Sequence, residues 1–281
     1  MMAMFSQHFE ILQRSILSRA CHRDIGQMCQ CGSKEALYRC AGMEKCFDPR
    51  LRCQACILKD HILHPLHRIE IWNGNHFMGT SLQHLGFLLH LGHHGDRCPN
   101  LSSTTRPRII VVGHTNGFHK ISVHFCHCEG AASEAIQLMD QELFPATITQ
   151  PESMFSFSLL ENYHAHSLTS KKSMYDYHAA LVNLTSAAFP QEVPVRFLII
   201  LIFIKYEPTN ENLQNRYGEL LRVIRVWSHL SMVRRSGQAH GIDTIITTRR
   251  PLSLAIRCPA CPEVGVNVDR EKMEMASEEE A

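Results

Sequence analysis

Residues 29–67 read CQCGSKEALYRCAGMEKCFDPRLRCQACILKDHILHPLH, and this stretch decides how the front of the chain folds. Its soft ligands fall in the order Cys29, Cys31, Cys40, Cys46, Cys53, Cys56, His61 and His67, with His64 as a spare. They come in closely spaced pairs, and a tight turn can aim two such side chains at one ion with little loop-closure cost. Eight ligands satisfy two tetrahedral Zn²⁺ sites with no open position, the arrangement of structural rather than catalytic zinc. Few apolar residues separate the ligands, so metal must supply much of the local stability. Structural zinc contributes on the order of 10–16 kcal/mol in small fingers, enough to decide folding.

The pairs suggest interleaving, in a cross-brace like that of a B-box. Cys29, Cys31, Cys53 and Cys56 form one expected site, and Cys40, Cys46, His61 and His67 the other. Disulfides are the competing use of such cysteines. The start, MMAMFSQHFEILQRSILSRACHRD, lacks the basic stretch and apolar run of a secretory signal, and in a reducing compartment clustered Cys with interleaved His reads as metal binding. Phe9, Leu12, Ile16 and Leu17 in that leader fall at helical spacing and read as an amphipathic helix.

Outward from the cluster, ten of the twelve cysteines lie in residues 21–128 and the last two in CPACP, 258–262. The chain of 281 residues is 44% hydrophobic and 20% charged, so it can bury a core. Its formal net charge of +1 names no partner; any nucleic-acid surface must be local. RIIVVGHTNGFHKISVHF, 108–125, reads as a β-hairpin whose Asn116-Gly117 can supply positive φ. Segments near 153–168 and 172–185 carry helical periodicity. The clearest helix spans 211–236, with Leu213, Tyr217, Leu220, Ile224 and Trp227 on one face, Arg222, Arg225 and His229 opposite, and Gly237 as C-cap. FLIILIFI, 197–204, is too short for a membrane helix, which needs about 20 residues, and reads as a buried strand. The tail after Asn267 is acidic and reads as disordered.

The expected fold class is therefore α+β: a zinc-stabilised cross-brace and β-hairpin module followed by a mainly helical region. The expected divisions are a leader (1–28), the cross-brace (29–70), a hairpin module (71–150), a helical region (151–257), and a CxxC knuckle with tail (258–281).

Two further ligand groups follow. His93 and Cys98 lie in LGHHGDRCPN, and Cys126 and Cys128 end the hairpin in HFCHC. Residues two apart on a strand point to the same face, so both thiolates of a C-x-C can meet one ion. His93, Cys98, Cys126 and Cys128 make a third candidate site, with packing of the cysteines as small hydrophobes the alternative. Cys258 and Cys261 form half a site, with His229, His240, Cys21 and His22 as partner candidates; a redox pair is the other use of such a motif. Three zinc ions are expected, and four if the half-site is completed.

Enzyme signatures fail. The zinc-deaminase pattern needs His-x-Glu near Pro-Cys-x-x-Cys, but His8-Phe9-Glu10 lies far from Cys258 and Arg257 stands where the proline should be. No Gly-x-Ser-x-Gly elbow, phosphate-binding glycine loop or His-Glu-x-x-His motif is present.

The run PLHRIEIWNGNHFMGTSLQHLGFLLHLGHHGDRCPN (65–100) resembles the CxC-type cysteine-cluster domain associated with Kyakuja–Dileera–Zisupton (KDZ) transposases of mushroom-forming fungi. So do Gly117 to His119, Phe125 to Cys128, FPAT (144–147), LTSKKSMYDYHAALVNLT (168–185), WSHL (227–230), RRSGQAH (234–240) and CPACPEVGVN (258–267). The resemblance implies a zinc-chelating, nuclear module that accompanies a DNA transposase. Three features depart from it: the long Cys40-to-Cys46 gap, an apparent insertion at 194–211, and an acidic tail where entry into a catalytic RNase H-like domain is expected. Strand transfer by two metals needs converging carboxylates, and Asp96, Asp140, Asp176 and Asp243 show no such arrangement, so the chain is not expected to cut DNA.

The leading expectation is a module that engages DNA, a transposase catalytic domain or other subunits, with no membrane and no small-molecule substrate. Residues 211–257 hold eight arginines against three acids, and Arg222, Arg225, Arg234 and Arg235 are the candidates for phosphate contact. An adaptor for proteins alone, of B-box type, is the alternative. A RING-type ubiquitin ligase is disfavoured by the late position of the His pair, and a decayed transposon fragment is the remaining reading.

Overall fold

The computed structural model describes residues 2–18, 22, 24–42, 45–48, 50–102, 105–185, 216–236 and 268–269. The run at 197–204, the expected insertion, Leu213, Gly237, His240, the CPACP knuckle, Cys21 and the acidic tail beyond Asp269 lie outside them. By internal contacts the chain divides into Met1–Leu221 and Arg222–Ala281.

In the first unit, helices and two sheets give an α+β fold. Helix α1 (Met2–Leu17) leads, followed by strand β1 (Tyr38–Ala41), helix α2 (Gln54–Asp60) and strands β2 (Arg68–Trp72) and β3 (Phe77–Thr80). β1, β2 and β3 pair antiparallel in that order, with Cys40 opposite Ile69. Strands β4 (Leu88–His90), β5 (Arg108–His114), β6 (Gly117–His124), β7 (Leu143–Pro145) and β8 (Ser153–Ser156) form a second sheet in the order β4-β6-β5-β8-β7. β5 runs antiparallel to β6 and parallel to β8. Helix α3 (Glu134–Met139) packs against β7, α4 (Phe157–Thr169) against β5 and β8, and α5 (Met174–Thr185) against β6.

β5 is central because its β-branched residues can be covered on both faces: Ile110, Val111 and Val112 are all buried. β6 keeps alternation, with Ile121 and Val123 buried and Lys120 exposed. Gly113 permits close approach of its neighbours, since a Cβ there would sit 2.7 Å from the Phe155 ring.

One core joins the two sheets. Ile57 of α2 and Ile69 of β2 belong to the same apolar cluster as Ile110, Val112, Ile121, Val123, Leu138 and Met154, with Tyr38, Cys40 and Leu66 packed against it. The cross-brace is thus welded to the hairpin sheet through α2 and β2. The second sheet also crosses the division expected at 150, because β8 lies beyond it.

Two local expectations are corrected. The segment near 153–168 is not helical throughout: Ser153–Ser156 form β8, and helix begins at Phe157. Ser156 makes the switch by capping α4, its hydroxyl accepting from the Leu159 N–H at 3.2 Å. In the hairpin turn only Gly117 takes positive φ (116°); Asn116 does not. Tertiary bonds decide this, for Asn116 is 3% exposed and its side chain is committed elsewhere. The expected leader helix forms as α1, and its apolar residues stand in solvent: Phe9 is 63% and Ile16 70% exposed.

Helix α6 (Arg216–Arg235) begins in the first unit and continues into the second. Leu220, Val223 and Ile224 are buried, while Arg222, Arg225, His229, Arg234 and Arg235 are exposed. Ser236 closes it, its hydroxyl donating to the Val233 carbonyl at 2.7 Å. No helix among the described residues is long and apolar enough to cross a membrane.

Candidate metal centres

The geometry brings together three groups of four, each with its ligand atoms within 4.8 Å of one another: Cys29, Cys31, Cys53 and Cys56; Cys40, Cys46, His61 and His67; and His93, Cys98, Cys126 and Cys128. All nine described cysteines are free thiols. A tetrahedron with metal–sulfur bonds near 2.3 Å has S···S edges of about 3.8 Å and S···N edges of about 3.6 Å. The edges given below run from 3.2 to 3.8 Å, in the range of these values and far from the S–S length of about 2.05 Å that a disulfide requires.

In the first centre, Cys29 and Cys31 sit on a tight turn. The Gly32 N–H donates to the Cys29 carbonyl at 2.7 Å, and the Cys29 N–H to the Lys34 carbonyl at 2.8 Å. Gly32 takes φ 73°, which glycine permits at no steric cost. Cys53 caps α2 and Cys56 lies in its first turn, so both sulfurs share one face. The Cys31 and Cys53 sulfurs lie 3.7 Å apart. The Ser33 hydroxyl and N–H pull the Cys31 thiol down to about 6, whereas the neighbouring sulfurs, Cys31 foremost, push Cys56 up to about 12. Four converging thiols cannot all ionise unaided; a divalent cation removes the conflict.

The second centre takes Cys40 from β1, Cys46 from the following loop, His61 from the C-cap of α2 and His67 from just before β2. Cys40 Sγ and Cys46 Sγ each lie 3.5 Å from His67 Nδ1, and Cys46 Sγ lies 3.7 Å from His61 Nε2. The His61 Nδ1–H donates to the Ile57 carbonyl at 2.8 Å, which fixes the tautomer and leaves the Nε2 lone pair for a metal. Burial lowers the His61 pKa and raises the Cys40 thiol to about 11.

α2 is therefore a strut about 10 Å long, at 1.5 Å per residue, with one centre at each end. The intervening loop is braced by charge. Arg52 reaches Asp48 and Asp60, and Arg50 reaches Asp48 and the Gln30 amide at 2.9 Å. The Arg50 hydrogen bond, foremost, holds Asp48 down to about 2.

In the third centre, Cys98 Sγ lies 3.8 Å from Cys126 Sγ and 3.6 Å from Cys128 Sγ. His93 Nε2 lies 3.2 and 3.4 Å from the same two sulfurs. The expected mechanism for the C-x-C is corrected: β6 ends at His124, so strand alternation does not align Cys126 and Cys128. Gln137 holds the turn instead. Its Oε1 accepts from the Cys126 N–H at 2.8 Å and its Nε2 donates to the Cys126 carbonyl at 2.9 Å. His93 arrives on a left-handed run, with φ of 74, 45, 56 and 95° at Gly92, His93, His94 and Gly95. Such backbone costs a non-glycine residue roughly 1–2 kcal/mol, which ligation would offset. Contact with the His127 N–H, foremost, lowers the Cys98 thiol to about 6, and the other sulfurs raise Cys128 to about 11.

Cys258 and Cys261 lie outside the described residues. Of their partner candidates, His229 is exposed on α6, and His22 accepts from the Asp24 N–H at 3.2 Å. The sequence reading missed Gln137, which carries no motif, and Asn116, whose Asn-Gly context masks its role. The Asn116 Nδ2 donates to the Leu66 carbonyl at 3.0 Å, and its Oδ1 accepts from His119 Nε2 at 2.6 Å, tying the hairpin turn to the residue before the ligand His67.

Fold and centres together define a cysteine- and histidine-rich α+β protein with three groups able to hold metal ions. Residues 82–188 match the family described as the CxC2 like cysteine cluster associated with KDZ transposases. The match spans less than half of the chain. It takes in the third centre, the second sheet and α3 to α5, and leaves out the first two centres and α6. By that description the matched stretch is an associated cysteine cluster rather than a catalytic domain. No curated protein and no solved structure matches the chain.

Proposed function

We propose that this chain is a non-catalytic, zinc-binding module of a KDZ-type transposase, one Zn²⁺ to each centre, that helps the transposase engage DNA or partner subunits in the nucleus. The observation that carries the reading is the set of three tetrads, each made only of Cys and His with ligand atoms within 4.8 Å of one another. Four protein ligands leave no position for a reacting water, so the zinc is structural and the chain shapes a surface.

DNA contact falls to the exposed Arg222, Arg225, Arg234 and Arg235 of α6. Arginine contacts to phosphate release counterions, so log K for duplex DNA falls linearly with log salt, by about 0.9 per neutralised phosphate. The expected result is salt-sensitive binding whose slope flattens by roughly 3–4 when all four arginines become glutamine. Binding that ignores both salt and these substitutions would refute the DNA reading.

A protein-only adaptor is the second reading. The exposed Phe5, Phe9 and Ile16 of α1 favour it, since an uncovered helix of this length is marginal in water. It predicts DNA-silent oligomerisation or capture of a partner that deletion of residues 2–17 abolishes.

A further inference from the structure

Helix α1 (Met2–Leu17) supplies no ligand to any of the three centres. Among the described residues it packs broadly against no other element, and every side chain from Phe5 to Ser18 is exposed. An isolated helix of this length is marginal in water, so a partner along one face would stabilise it.

The sequence of α1 marks which face that is. Phe5, Phe9, Leu12 and Ile16 follow one another at steps of four, three and four residues, the alternation of d and a positions in a heptad. At 3.6 residues per turn these four fall within about 60° of the helix circumference. All four stand between 44% and 70% exposed. A stripe this narrow is a coiled-coil seam, whereas a helix that covers a globular core carries an apolar face of about 100° or more.

The flanks of the seam say what covers it. Ser6 and Gln13 border one side and His8 and Ser15 the other, with no Asp, Glu, Lys or Arg among them. Charges at these e and g positions are what select a different partner chain or forbid a copy of the same one. Their absence leaves an identical helix as the matching partner, through a self-complementary two-fold seam. The charged residues of α1 are Glu10 and Arg14, both away from the seam. A helix that lies on a membrane carries a polar face rich in Lys and Arg, and one acid with one base is not such a face.

The area sets the strength. Large side chains bury about 150–250 Å² each when fully covered, so the exposed part of four from each copy removes on the order of 900 Å² from water. Stable interfaces bury about 1,200–2,000 Å², and smaller ones are transient.

We propose that α1 pairs along Phe5, Phe9, Leu12 and Ile16 with α1 of a second copy of this chain, as a short coiled coil that makes the protein a weak dimer. The proposal rests on the adaptor reading only in taking the α1 face as a protein contact, and it holds whether or not α6 touches DNA.

The test is sedimentation velocity on the full, metal-loaded chain, with hydrogen exchange read at low and high concentration. A reversible monomer–dimer equilibrium is expected, with a midpoint of about 10–100 μM for an interface of this size. Amides of 5–17 should gain protection as the dimer fills. Phe9→Glu should abolish the dimer at unchanged zinc content, and Phe9→Leu should keep it. Ile11→Glu makes the same change on the same helix at a residue 65% exposed but outside the seam, and should leave the dimer intact. Equal loss in Phe9→Glu and Ile11→Glu overturns the proposal. So does a chain that stays monomeric well above that range, whether its α1 amides are already protected from within the chain or become protected on anionic phospholipid vesicles. A seam-dependent dimer that also binds DNA in a salt-sensitive way upholds the proposal and refutes the protein-only reading; a monomer overturns the proposal and leaves that reading to a different partner.

Discussion

The first and third centres use nearly the same ligands in opposite structural settings. The first is surrounded by a small apolar cluster of Cys29, Ala36, Leu51 and Cys53, half of it the ligands themselves. The third sits at the rim of a five-stranded sheet whose core runs from Leu82 through Phe125 to Met154. A bound metal would therefore have different work in each place. Around the first centre it would stand in for a core; at the third it would tie the left-handed 92–95 loop to a sheet that is already held by burial. The second centre is intermediate, because Cys40 and Leu66 pack against the main core.

The largest expected break in this comparison is at the first centre. Cys53→Ser should remove one zinc and, since structural zinc is worth on the order of 10 kcal/mol, collapse the amide signals of 25–37 while those of β5 and β6 persist. Collapse of the whole spectrum would show that the sheet depends on the cross-brace. His93→Ala should also release one zinc, but only the 92–98 loop should lose hydrogen-exchange protection. Equal loss of protection across the sheet would contradict the division of labour.

A smaller effect is expected at Gln137. Replacement by Leu leaves the Cys126 N–H and carbonyl unpaired in a buried setting, at about 1–3 kcal/mol for each such group. Denaturant unfolding should fall by that order, and zinc should leave the third centre faster in a chelator assay while the other two exchange as before.

His178 gives the smallest and most pH-bound effect. It is fully buried between the Phe118 and Tyr217 rings with both ring nitrogens unpartnered, and burial lowers its pKa to about 4 from 6.5. Below pH 6.5 the unfolded chain takes up a proton that the folded chain refuses, so stability falls as pH falls. The loss stops near pH 4, where both states are protonated, and amounts to at most about 3 kcal/mol. His178→Phe should remove that slope relative to wild type, leaving only the pH dependence of the metal centres. An unchanged slope would contradict the assignment.

The grouping of ligands was legible because paired cysteines two to six residues apart leave the chain few ways to converge. The hairpin was legible from its β-branched runs. The rest was hidden for particular reasons. β8 carries the apolar pattern of the helix that follows it, and only the Ser156 cap marks the change. Asn116 and Gln137 act through partners 50 and 11 residues away, which local periodicity does not report. The shared core of Ile57, Ile69 and Ile110 joins segments that cysteine spacing divides. α1 shows helical spacing clearly, but spacing says nothing of whether a face is covered.

The most direct test of the account is zinc per chain by native mass spectrometry, on protein purified without added metal or chelator. Three ions are predicted in the centres described here, with Cys29→Ser, Cys46→Ser and Cys126→Ser each removing a different one. A folded chain that carries no zinc, or whose zinc count is untouched by these three substitutions, would contradict it.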